Sequence, residues 1–193
     1  MLDSPLFKNI AKHIHLSEEE SALFSSLLLS KKLNKKTLLL EAGSECRYLS
    51  YVHSGALRSF FVDKEGKEST VMFAIADWWI TDMYCYLNNK PAMMYIETIE
   101  DSTVFQISRA NFDQLLNRIP KFEKFFRILM QNAYTREQLR VIENLSATAE
   151  ERYHSFLRKY PQIAKQVTQK QIASYLGITP EFLSTLRKTK IKP

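Results

Sequence analysis

The chain has 193 residues, 45% of them hydrophobic and 25% charged, which suits a globular protein of one ordinary domain plus a small appendage, not a disordered or fibrous chain. No apolar run reaches the roughly 18–20 residues of a membrane span, and residues 1–14 lack the apolar core and cleavage site of a signal peptide, so a cytoplasmic protein with no membrane partner is expected. The formal net charge of +6 comes from the C-terminal quarter: residues 1–145 hold 18 Lys+Arg against 18 Asp+Glu and residues 146–193 hold 9 against 3, the imbalance of a polyanion-binding module joined to a neutral one.

Ser4-Pro5 offers an N-cap followed by proline at the first helical position. Ser17-Glu18-Glu19-Glu20 has the form of a capping box, and Leu23, Phe24, Leu27 and Leu28 follow at helical spacing. From Lys36 the pattern changes to short runs rich in aromatic and β-branched residues: Thr37-Leu38-Leu39-Leu40, Tyr48-Leu49-Ser50-Tyr51-Val52 and Ala56-Leu57-Arg58-Ser59-Phe60-Phe61-Val62. Turns at Ala42-Gly43-Ser44-Glu45 and Ser54-Gly55 separate them. Asp63-Lys64-Glu65-Gly66 connects the last run to residues 67–74 as a β-hairpin, and runs at 78–81, 95–99 and 103–108 complete an antiparallel set of sandwich or barrel type.

After Ser108, which can cap a short helix carrying Phe112, Leu115 and Leu116, Pro120 opens a long helix that reaches about Leu145 without glycine or proline. Along it Phe125, Ile128, Asn132, Thr135, Leu139 and Ile142 form a heptad-like stripe, beside a second apolar face of Phe122, Phe126, Leu129, Met130 and Ala133. Such a helix is ~37 Å long at about 1.5 Å per residue, more than one face of a small β-roll can cover. A second copy of the same helix is the simplest partner, and packing within the chain is the alternative. Ser146-Ala147-Thr148 precedes a further helix, 149–160, closed by Pro161.

The segment 168–188 reads as helix, tight turn, helix. Thr168 caps the first helix, Ile172 and Leu176 share its buried face, and Ala173 is small where two helices cross. Gly177 ends it in a left-handed conformation, and Ile178 plugs the space between the helices. Thr179 caps the second helix, Pro180 takes its first position, and Leu183 and Leu186 face inward. Outward lie Glu181, Ser184, Thr185, Arg187 and Lys188 with Phe182 partly exposed, side chains able to meet base edges or phosphates in a major groove. With Thr168, Gln169, Lys170, Thr179 and Pro180 they make up the candidate DNA-binding set; Lys170, Lys188, Lys190 and Lys192 suit phosphate contacts. A structural helical hairpin is the alternative.

In this order, roll, long helix and helix-turn-helix resemble the cyclic-AMP receptor protein/Fnr (Crp/Fnr) family of transcription regulators, most nearly its short Bacteroidetes-like subgroup. The resemblance rests on Tyr51-Val52-His53-Ser54-Gly55-Ala56-Leu57-Arg58, Asp63-Lys64-Glu65-Gly66-Lys67-Glu68, Ser146-Ala147-Thr148-Ala149-Glu150-Glu151-Arg152-Tyr153 and Ile172-Ala173-Ser174-Tyr175-Leu176-Gly177-Ile178-Thr179-Pro180-Glu181. It implies an α+β protein: a cyclic-nucleotide-binding-like antiparallel β-roll of jelly-roll type with flanking helices over residues 1–118, a dimerisation helix over 119–145 and a DNA-binding domain over 146–193. Double-stranded DNA and a second copy of the chain are the implied partners. The resemblance also admits RNA polymerase and an unidentified small-molecule effector.

Members that bind cyclic AMP hold its phosphate with a Gly-Glu motif and an Arg-Ser pair. The corresponding positions here are Ile80-Thr81-Asp82-Met83 and Ala92-Met93, where a buried phosphate would meet no arginine and a nearby carboxylate. Cyclic AMP is therefore not expected as cofactor. Trp78, Trp79, Tyr84, Tyr86, Met93, Met94 and Tyr95, with Asp82, are candidates to line an effector pocket instead, a plain aromatic core being the alternative. Cys46 and Cys85 cannot supply the N-terminal iron–sulfur cluster of Fnr-type members. The wing of longer members is expected to be reduced or absent, with Arg187, Lys188, Lys190 and Lys192 compensating in part.

An enzyme is not expected, because nucleophile elbow, phosphate-binding glycine loop and clustered histidines are all missing from a chain with 4 glycines and 4 histidines. No metal site is expected. The competing class is a β-roll ligand-binding or protein-interaction module whose helix-turn-helix is vestigial.

Overall fold

The computed structural model of the protein describes residues 4–189. Two short helices lead in, α1 (Pro5–Ala11) and α2 (Glu18–Ser26), the second started by the expected capping box, in which Ser17 and Glu20 each cap the other's backbone N–H. Eight strands follow among the described residues: β1 (Leu28–Leu33), β2 (Leu38–Leu40), β3 (Tyr48–Ser54), β4 (Ala56–Val62), β5 (Glu68–Ile75), β6 (Trp79–Ile80), β7 (Tyr95–Thr98) and β8 (Ser102–Ser108). They form two antiparallel four-stranded sheets, ordered β1-β8-β3-β6 and β2-β7-β4-β5, the expected roll. The hairpin β4–β5 pairs Ala56 with Ile75 and Val62 with Glu68.

Within the roll, two elements depart from the sequence reading. Leu28, expected to continue the helical spacing of Leu23, Phe24 and Leu27, instead opens β1, which pairs residue for residue with β8 from Leu28–Ile107 to Leu33–Ser102. Helical periodicity ended one residue earlier because a distant strand offered a full ladder. Between β6 and β7 lies an unanticipated helix, α3 (Met83–Asn88), capped by the Asp82 side chain.

One glycine is fixed by close approach. Gly55 joins β3 to β4 at φ +88°, and a Cβ there would sit 2.2 Å from Ser102 Oγ and 2.6 Å from the Asp101 carbonyl. In the adjoining strand Arg58 is buried, its guanidinium held between Glu68 (2.7 Å) and Glu97 (2.6 Å). Pairing on both sides is what makes a buried charge tolerable.

α4 (Arg109–Arg118), capped by Ser108, and the 26-residue α5 (Lys121–Ser146) complete the roll. Leu6, Ile10 and Phe24 from the lead-in helices meet Leu49, Tyr51 and Ile107 of the sheet and Phe122, Phe125 and Phe126 of α5 in one core; Val52, Leu57, Ala74, Ile80, Ile96 and Val104 fill the roll itself. Phe125 is thus corrected from the expected dimer stripe: it is fully buried in the chain's own core, against Trp79 and Phe122, because the core covers the face of α5 that carries Phe122, Phe125 and Phe126 at its first turns. Four short helices close the described residues: α6 (Ala149–Lys159), α7 (Pro161–Gln166), α8 (Gln169–Leu176) and α9 (Pro180–Thr189). α7 was not foreseen as separate. No helix among the described residues is long and apolar enough to cross a membrane.

Candidate nucleic-acid interface

The interface is built outward from a small helical core. Phe156 of α6, Ile163 of α7, Ile172, Ala173 and Leu176 of α8 and Leu183 of α9 are all buried together. Local capping fixes how the helices enter and leave it. Thr168 Oγ1 accepts from the Gln171 N–H while Gln171 Oε1 accepts from the Thr168 N–H, another capping box. Gly177 turns out of α8 at φ +68°, and the Ile178 N–H donates to the Ala173 carbonyl. Thr179 Oγ1 then accepts from the Phe182 N–H to start α9.

On α9, Glu181, Ser184, Thr185 and Lys188 recur at i, i+3, i+4 and i+7 and so share one face, opposite Leu183 and Leu186. Phe182 and Arg187 flank that face. All six are exposed except the half-buried Ser184. Thr185 Oγ1 also donates to the Glu181 carbonyl. At the start of α8, Thr168, Gln169 and Lys170 are exposed, as are Thr179 and Pro180 between the helices. The predicted residues are thus open along α9, at the start of α8 and in the turn between them, apart from the half-buried Ser184, with Thr168 and Thr179 spending their hydroxyls as caps. Lys190 and Lys192 lie outside the described residues. A residue the sequence reading missed is Lys165 of α7, which lines a surface groove with Gln169 and Arg187 and adds a third polar group to that edge. Its signal was only its charge, because α7 itself was not foreseen.

The helical unit is docked on the roll. The Thr70 N–H of β5 donates to Ser174 Oγ (2.8 Å), which in turn donates to the Glu68 carbonyl (2.9 Å). Ala56, Phe73 and Ile99 of the roll join the helical core, and the Tyr175 ring of α8 packs on Phe73 and Phe156. Burial pushes the Tyr175 phenol well above its ordinary value, so it stays neutral. At the hinge, Arg152 donates from Nη1 to the Ala147 carbonyl, just past α5, and from Nη2 to the Leu176 carbonyl at the end of α8.

Along α5 the predicted stripe emerges from the core at the half-buried Ile128, and Asn132, Thr135, Leu139 (52% exposed) and Ile142 (57%) lie open, with Leu145 at 84% beyond them. Half or more of these apolar side chains faces solvent.

The candidate effector residues do not converge. Trp79 is in the core against Tyr51, Phe125 and Phe126, as the alternative reading had it. Trp78 points to the hinge, against Tyr160 and under Arg136. Tyr95 stacks on Phe60, Met94 is half-buried, Tyr84 and Met93 are exposed, and Tyr86 is buried in the core. Asp82 is 1% exposed, and among the described residues no cation pairs with it. Its carboxylate accepts instead from the N–H groups of Cys85 (3.3 Å), Met93 (2.8 Å) and Met94 (3.2 Å). The cavity between β2, β3, β7 and β8 measures about 40 Å³, room for one or two waters. Among the described residues no His, Cys, Asp and Glu side chains cluster as a metal site would need.

Comparison with known proteins fits this geometry. Residues 30–119 match the cyclic nucleotide-binding domain family. The regulatory protein HlyX of Actinobacillus pleuropneumoniae is 24% identical, the match covering 89% of this chain and 75% of HlyX. The fumarate and nitrate reduction regulatory protein of Vibrio cholerae is 26% identical over 89% of this chain and 72% of its own length. A Crp/Fnr-family transcriptional regulator from Eubacterium rectale superposes with a TM-score of 0.72 at 20% identity, covering 90% of this chain and 83% of that one. A CooA mutant from Carboxydothermus hydrogenoformans gives 0.70 at 20% identity, over 97% and 84%.

Proposed function

The chain belongs to the Crp/Fnr family, and from that premise we propose that it is a homodimeric, DNA-binding transcription regulator whose roll does not take cyclic AMP. What carries this reading is the exposed face of α9, Glu181, Ser184, Thr185 and Lys188 with Arg187 at its flank, presented by a capped and packed α8. A recognition helix needs that combination: outer side chains free to enter a major groove, inner ones locked so that the helix holds its register. The open half of α5 supports the dimer. Two copies joined there present two α9 helices, and a two-fold pair reads half-sites about 34–36 Å apart along a duplex.

Binding to random duplex DNA, followed by fluorescence anisotropy across a salt series, tests this. Affinity should fall steeply with salt, since each phosphate neutralised contributes about 0.9 to the logarithmic slope. Replacing Arg187 and Lys188 together by alanine removes four cations per dimer and should flatten that slope by about 3–4. Unchanged binding would remove α9 from the reading and leave a roll-type binding module with a vestigial helix-turn-helix.

The exclusion of cyclic AMP is supported at Asp82. Backbone donors at Met93 and Met94, in the stretch where the resemblance places phosphate-binding residues, already hold a carboxylate. A ligand phosphate would have to displace one anion with another, without an arginine to compensate. Isothermal titration calorimetry should give no binding heat with cyclic AMP, and low-micromolar binding would overturn this part of the proposal.

A further inference from the structure

We propose that the groove between the C-terminal half of α5, α6 and α8 is an effector site, and that it takes a small molecule with a flat apolar body and one anionic group. The cavity is about 300 Å³, at the lower end of the range of small-molecule pockets. Phe156, Tyr160 and Tyr175 supply aromatic surface, and Leu139 an aliphatic rim. Arg136, Arg140, Arg152 and Lys159 line the same groove against a single lining carboxylate, Glu143. Even counting Glu137, which pairs with Arg140 without lining the groove, cations outnumber carboxylates four to two.

Two of these cations are held in ways that leave them useful. Arg140 lies over the Tyr175 ring, 5.5 Å from its centroid, so a flat ring and a charge are already adjacent. Arg152 spends both terminal nitrogens on the Ala147 and Leu176 carbonyls, and its buried Nε N–H finds no acceptor among the described residues. An oxyanion in the groove would supply one.

A second copy of the chain is the other occupant to weigh, because Leu139 also belongs to the open face of α5. In the proposed dimer a parallel partner helix along that face brings its own Arg136 and Arg140 to this level, and an anion in the groove relieves the cation-against-cation contact. The position also fits regulation, since the three walls are the dimer helix, the first helix past the hinge and the helix that carries α9. A ligand engaging Arg152 acts on the guanidinium that joins the end of α5 to the end of α8. This regulatory half rests on the DNA-binding reading above; the binding half does not.

Anilinonaphthalene sulfonate, an aromatic anion whose fluorescence rises in apolar sites, is the probe, titrated into the full chain. The expected result is one saturable site per chain. Neutral anilinonaphthalene should bind about tenfold more weakly, the loss of one charge-assisted hydrogen bond, and inorganic sulfate should not compete. Lys159→Gln, at a partly exposed ammonium paired with Glu143, should weaken the probe by a similar factor, about tenfold. Ser155→Phe should abolish the site by filling it; should that variant unfold, Lys159→Gln still decides. Equal affinity for the neutral probe, or unaltered affinity in Lys159→Gln, would overturn the site. A site that behaves as described while probe and DNA leave each other's affinity unchanged would overturn the regulatory half alone. A site that behaves so in a chain that binds no DNA would sink the proposed function and leave the site standing.

Discussion

Replacing Asp82 with alanine is expected to lower the melting temperature by about 10–20 °C, as 3–6 kcal/mol does in a chain of this size. The side chain is fully enclosed and accepts three backbone N–H bonds, one from Cys85 in its own helix and two from Met93 and Met94 across the loop to β7. Alanine leaves those three donors, one buried and two partly buried, without that acceptor, at about 1–2 kcal/mol each. That total is a large share of the roughly 5–15 kcal/mol that holds a typical domain folded. Asp82→Asn should recover part of the loss, because one carbonyl oxygen still accepts. Thermal denaturation followed by circular dichroism reads both variants. A fall of less than about 3 °C for Asp82→Ala, under the 2–4 °C per kcal/mol expected at this size, would show that the loop is held by other contacts.

The second large effect belongs to α5. Leu139→Glu combined with Ile142→Glu is expected to convert the proposed dimer to monomer and to weaken DNA binding about a hundredfold or more, the avidity lost when two linked half-site contacts become one. Each of these side chains is more than half exposed in the single chain, so covering them in a dimer contributes about 1 kcal/mol apiece, four times over in a two-fold pair. The glutamates remove that gain and bring like charges together. Because the two positions make little contact within the chain, the monomer should keep its melting profile. Sedimentation equilibrium and anisotropy on duplex DNA measure the two parts, and a double variant that stays dimeric would refute α5 as the interface.

What was legible in the sequence was mostly local chemistry. Ser17, Ser108 and Thr168 each announced a helix start, and each side chain accepts a backbone N–H in the first turn of its helix. Gly177 marked the turn between α8 and α9 for the same reason: its left-handed conformation is a property of one residue. What stayed hidden depends on partners far along the chain. β1 has a largely exposed, lysine-bearing surface and no alternating pattern, and only its ladder with β8, some 70 residues on, makes it a strand. Asp82 could be read as an anion in the wrong place for a phosphate, but not as one held by Met93 and Met94. Phe125 fits the stripe of α5 by spacing, while its neighbours, Trp79 and Phe122, place it in the core. The hinge groove draws its cations from α5 and α6 and its aromatics from α6 and α8, so no single stretch carried its pattern.

The seat of Ser174 on β5 has a consequence for solubility. β5 ends its sheet, and a terminal strand offers its outward N–H and C=O groups to any chain that can align with them. Here α8 occupies two groups of that row, the Thr70 N–H and the Glu68 carbonyl, and lies over Phe73. Any movement that lifts α8 from the roll bares this margin, so at high concentration the released form is open to strand-to-strand self-association.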